Sequence, residues 1–108
     1  MTTTRLPGAL ATAIALACAA CTSSPPPHDV KPAAGYVPDA ATAIHIAVAV
    51  WEPIYGRDMI AGEAPYVATL KDGVWHVEGS LPEGWVGGTA VADISKADGT
   101  ILRVSHGR

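Results

Sequence analysis

Four histidines and two cysteines carry the widest chemistry in this 108-residue chain. His76 lies in "VWHVEGSL", alternating with Val74 and Glu78 and opposite Trp75 and Val77, so in a strand it faces solvent or a cleft. A general base needs a group to orient it, and Asp93 or Glu78 would serve from neighbouring strands. No spacing compels that pairing, and nothing in the sequence marks a pocket that excludes water. The sequence contains no Gly-rich phosphate loop after a strand, no Gly-x-Ser-x-Gly elbow and no His-Glu-x-x-His helix. The reading is therefore a non-enzymatic protein with no catalytic residue and no cofactor; a small hydrolase or isomerase using His76 is kept as an alternative. His28 sits among prolines as a solvated residue, His45 on the polar side of a helix, and His106 near the C-terminus in "SHGR".

The cysteines point elsewhere. Cys18 and Cys21 close "MTTTRLPGALATAIALACAAC", which has one positive charge, Arg5, and then a short apolar run. That run falls short of the roughly 20 apolar residues of a membrane-spanning helix. Its charged start, apolar middle and small-residue end describe a secretory signal peptide over residues 1–20. The cysteine placement resembles the lipobox of bacterial lipoproteins, in which a small residue precedes the acylated cysteine. Cys21 fits as the lipidation site, with Ala19 and Ala20 before it and "TSSPPPHDVKP" after it, although Cys18 stands where a lipobox usually has Leu. Once Cys21 is acylated and Cys18 removed, no thiol remains for a metal cluster or redox chemistry. A lone cysteine in an intermolecular disulfide is the alternative. Thr22 after the cysteine, rather than Asp, resembles the pattern that admits a lipoprotein to the outer membrane.

Residues 21–35 form the acylated cysteine and a tether. Pro25, Pro26, Pro27 and Pro32 favour an extended chain that buries too little apolar surface to fold. The remaining segment, 36–108, carries nine acidic against five basic residues, a net charge of −4. Nucleic-acid surfaces are basic, so that partner class is excluded, whereas a basic protein partner suits the charge.

The elements within 36–108 follow from periodicity. "VPDAATAIHIAVAVWEPIYG" reads as a helix capped by Asp39, with Ala40, Ala43, Ile44, Ala47, Val48 and Trp51 on one apolar stripe. Ile46 and Val50 widen the stripe and leave a narrow polar seam of Thr42, His45 and Glu52, so the helix should be covered on most sides. It should end or kink near Pro53, with Gly56 closing the turn. Strands are expected over 65–70, 74–81, 89–96 and 100–106, with Asp72-Gly73 and Asp98-Gly99 making hairpins. The expected fold is α+β, one N-terminal helix packed on a curved four-stranded antiparallel meander sheet.

Three stretches in this order, "VPDAATAIHIAVAVWEPIYG", "PYVATLKDGVWHVEGSLPEGWVGG" and "ADISKADGTILRVSHG", resemble the nuclear-transport-factor-2-fold immunity protein family of bacterial polymorphic-toxin systems. The resemblance covers residues 36–108 and rests most on the "WEPIYG" helix ending and the closing His-Gly. It implies a truncated form of that family's cone-shaped fold and a small binding protein that neutralises a cognate protein toxin. With a lipid anchor, the toxin would be met in the cell envelope, at the periplasmic face of the outer or inner membrane. A structural or small-ligand-binding envelope lipoprotein is the alternative. The expected partner-binding residues are Glu83, Trp85 and His106. Trp85, among Gly84, Gly87 and Gly88, has two readings: a contact aromatic for the partner, or a cap folded back on the sheet.

Anchoring at Cys21 has a direct test. Cys21→Ala should abolish incorporation of a fatty-acid analogue and release the protein from membranes, while Cys18→Ala leaves it anchored. Unchanged labelling of the Cys21 variant would move the site elsewhere.

Overall fold

The computed structural model describes residues 28–107; the expected signal peptide, Cys18, Cys21 and Pro25 to Pro27 lie outside the described residues. Helix α1 (Ala40–Tyr55) starts at Asp39, whose extended backbone and carboxylate cap the first turn. Asp39 accepts the Thr42 amide at 2.8 Å and the Thr42 hydroxyl at 2.7 Å. The hydroxyl bond, and after it the amide bond, hold the Asp39 carboxyl below its usual pKa.

Ala43, Ala47 and Trp51, each four residues apart, form the buried face of α1. The two alanines let the helix backbone approach the sheet, and the Trp51 indole fills the space beyond them, 0% exposed. The helix lies over β1 to β3. Ile44, Ile46 and Val48 are only partly buried, and Val50 likewise. Coverage on most sides, expected from the apolar sequence, is thus not found: one face is covered, because a four-stranded sheet offers one layer and no second helix of comparable length lies on α1 among the described residues.

Pro53 does not end the helix. It lies in the last turn, and the bond it cannot make would go to the carbonyl of exposed Ala49, which water can serve. The stop comes at Gly56 (φ 100°), whose amide donates to the Glu52 carbonyl at 2.9 Å. A short helix, α2 (Arg57–Ala61), follows and was not expected; its Ile60 is fully buried and its backbone carbonyl accepts the Tyr66 hydroxyl at 2.6 Å.

The strands are β1 (Val67–Lys71), β2 (Val74–Glu78), β3 (Ala90–Ser95) and β4 (Ile101–His106), an antiparallel meander in the order β1-β2-β3-β4 that does not close. The α+β class with one main helix on a four-stranded sheet therefore holds. In the first hairpin Asp72 (φ 49°) and Gly73 (φ 77°) both take the left-handed conformation of a two-residue turn. The second is longer: Gly99 alone is left-handed, and its amide bonds the Ser95 carbonyl at 2.9 Å. Asp93 pairs with Arg103 but Ile94 with Ile101, so Leu102 is an extra residue bulging from β4.

Alternation sends Trp75, Val77, Ala90, Ala92 and Ile94 into the core and leaves His76 and Asp93 on the open sheet face. The Trp75 indole N–H donates to the Val37 carbonyl at 2.8 Å. Tyr36 and Val37 donate their amides to Ala97 and Lys96, and Gly35 packs so tightly on the Lys96 carbonyl that a Cβ there would clash. The C-terminal end of the expected tether is thus docked on the β3–β4 turn.

Trp51 gives the clearest stability test. Trp51→Ala should cost about 3–5 kcal/mol, as for other fully buried large side chains, and chemical denaturation reads it directly. An unchanged midpoint would mean that α1 does not pack through this face.

Candidate functional site

Four segments converge on Glu63, in the link between α2 and β1. Its amide donates to the Ile60 carbonyl at 3.0 Å and its own carbonyl accepts the Ser80 amide at 2.7 Å, which fixes the backbone from both sides. The side chain points inward, and the residue is 8% exposed. Its carboxylate accepts the Ala90 amide at 2.7 Å through Oε1 and His106 Nε2–H at 2.9 Å through Oε2. Gly79 is the neighbour that allows this: a Cβ on it would lie 2.6 Å from Glu63 Oε1.

His106 ends β4 opposite Ala90. Its Nδ1 lies 2.7 Å from the Gly107 carbonyl, and Tyr55 packs on its ring with centroids 5.1 Å apart. Both ring nitrogens thus face acceptors, which only the doubly protonated imidazolium can satisfy. The Gly107 carbonyl, and after it the Glu63 carboxylate, raise the His106 pKa above its ordinary 6.5.

This ion pair lies in the lining of a cleft of about 410 Å³. Asp58, Met59, Leu81, Pro82 and Trp85 are among the other residues that line it. The Trp85 amide closes a turn on the Pro82 carbonyl at 3.0 Å, with Gly84 left-handed (φ 82°) inside it. Trp85 is 70% exposed and Val86 98% exposed. The side chain does not fold back as a cap on the sheet; it stands at the rim of the cleft.

A second cluster occupies the open sheet face. His76 Nδ1 lies 2.6 Å from Asp93 Oδ1, Asp93 Oδ2 lies 3.7 Å from Arg103, and Glu78 stands 4.0 Å from His76 Nε2. Of the two carboxylates that could orient His76, Asp93 makes the hydrogen bond. The pair lies on a strand surface with His76 41% exposed, and it lines neither this cleft nor the smaller one beside Gly35 and Lys96. Among the described residues, no three metal-ligating side chains gather.

The family model for NTF2 (nuclear transport factor 2) fold immunity proteins matches residues 42–108. The chain belongs to that family. It is also similar to the uncharacterized protein YhhH of Escherichia coli (strain K12), with 34% identity over 73 residues, which is 67% of this chain and 58% of YhhH. The chain therefore spans less than two thirds of that relative's length. No solved structure matches it.

In this immunity-family domain, two of the three expected contact residues meet at one cleft: Trp85 at the rim and His106 in the lining. Glu83 is exposed on the turn beside them. His106 has both ring nitrogens engaged internally, so it presents no free hydrogen-bonding group to a partner. Glu63 was not singled out by the sequence. It lies 43 residues from His106, and one carboxylate among the nine of residues 36–108 has no local signature.

The raised pKa of His106 makes stability depend on pH with a definite sign. Folding holds the proton more tightly than the unfolded chain does. The stabilisation is therefore complete below about pH 6.5, the ordinary histidine value, and fades as pH rises through the folded pKa. Melting temperature should fall across that window in the native protein, and His106→Gln should flatten the fall. An equal slope in both proteins would show that another group controls it.

Proposed function

We propose that this protein is a lipid-anchored, non-enzymatic immunity protein that binds and neutralises a cognate protein toxin in the cell envelope. The observation that carries the binding mode is the exposed Trp85–Val86 tip beside a cleft whose lining includes the Glu63–His106 ion pair. Exposed large aromatics at the centre of an interface supply much of its energy, and a wall fixed by internal hydrogen bonds loses little freedom when a partner arrives. Glu83 on the same turn meets a basic group of the toxin, in keeping with the acidic balance of the domain. Family membership supports the immunity role, and the signal-like N-terminus with its cysteine supports anchoring at Cys21.

The His76–Asp93 pair supports a second reading, an enzyme using His76 as general base. The two separate in one experiment on cells challenged with the cognate toxin. Trp85→Ala should weaken toxin binding by about 2 kcal/mol or more and remove protection, with little change in melting temperature. His76→Ala should protect as well as the native protein. Loss of protection with His76→Ala alone, at normal stability, would overturn the non-enzymatic reading.

A further inference from the structure

The cleft has a chemical preference. Its lining holds three ionisable groups, Asp58, Glu63 and His106, and no lysine or arginine. Glu63 and His106 neutralise each other at 2.9 Å. What remains is one uncompensated negative charge, that of Asp58, which forms no ion pair among the described residues. Its neighbour Arg57 is directed to Glu52, 3.9 Å away.

An anion finds no free positive charge here. The one cation of the lining, His106, has its two donors committed to Gly107 and Glu63. A purely aliphatic side chain would cover the apolar wall but would leave the Asp58 carboxylate partly desolvated and unpaired. Met59, Leu81, Pro82 and Trp85 instead suit the stem of a long side chain whose head carries a positive charge, since such stems lie along apolar surface while the head seeks an acid. An exposed indole also attracts a cation over its face, arginine above all.

We infer that the cleft between α2 and the 79–88 loop receives an arginine side chain of the toxin, with its stem on Met59, Leu81 and Trp85 and its guanidinium on Asp58. This rests on the reading that the toxin docks at the Trp85 loop, and it names the chemistry of the anchor.

The two ideas separate experimentally. The full chain, purified in detergent, is titrated with N-acetyl-arginine methylamide and with the corresponding leucine and glutamate amides, while the Trp85 indole N–H is followed by NMR. The arginine amide should shift that signal at concentrations where the other two do not, and Asp58→Asn, at an exposed position, should remove the response. Equal responses to arginine and leucine amides, or none to arginine, would overturn the inference. With the cognate toxin, Asp58→Lys should weaken binding at least tenfold at an unchanged melting temperature. Binding that depends on Trp85 but not on Asp58 would overturn the arginine anchor and leave the immunity reading in place. An arginine response in the cleft with toxin binding indifferent to Trp85→Ala would leave the cleft an arginine site but overturn its use by the toxin.

Discussion

A carboxylate can leave water only where donors replace the water it loses, and Glu63 is where this fold meets that constraint. Its two oxygens take an amide from the start of β3 and an imidazolium from the end of β4, while Gly79 at the end of β2 makes room for them. One side chain thereby fixes where three strands finish. Breaking the pair strands the remaining charge, and the cost is greater on the Glu63 side, where the carboxylate is buried, than on the part-exposed His106 side. Replacing both partners by apolar groups would be far milder, so the pair does more to specify the geometry of this end of the sheet than to stabilise the domain.

That fixed end is what makes the neighbouring loop useful. The 79–88 segment leaves the sheet at Gly79, whose amide bonds the Ala90 carbonyl at 3.0 Å, and rejoins it at β3. Between these anchors, Gly84 allows a tight turn that leaves Trp85 and Val86 in water. Exposed apolar groups on a loop held by a rigid frame are a common arrangement for recognition. The opposite sheet face carries a polar row from Thr69 through His76 and Asp93 to Arg103, in register across all four strands. Its hydrogen bond between His76 and Asp93 joins adjacent strands in the way cross-strand pairs do, which is a sufficient reason for its presence.

Helix α1 and the sheet are bound by a stripe of small residues ending in a large one. Ala43 and Ala47 bring the helix close, and Trp51 reaches over to donate its indole N–H to the Val91 carbonyl at 3.1 Å. The apolar flanks of α1 remain half exposed because the architecture has one layer on each side of the interface. Hydrophobic content alone therefore overstated how far the helix would be enclosed.

The sequence by itself determined what depends on neighbours along the chain. Asp39 ahead of an apolar helical stripe set the start of α1, Gly56 set its end, and Asp72-Gly73 set the first hairpin, since capping and left-handed turns involve residues a few positions apart. Alternation around Trp75 and Val77 placed His76 on the outer face for the same reason. The tertiary structure decided what depends on long-range packing. Pro53 stays helical because the carbonyl it leaves free is on the exposed side of the last turn. Helix α2, five residues long, is too short to show a period and exists because Ile60 finds the core. Bringing Glu63 to His106, and Trp85 to the rim beside them, depends on the strand pairing of the whole sheet. No spacing along the chain encodes a contact made by closing the whole meander.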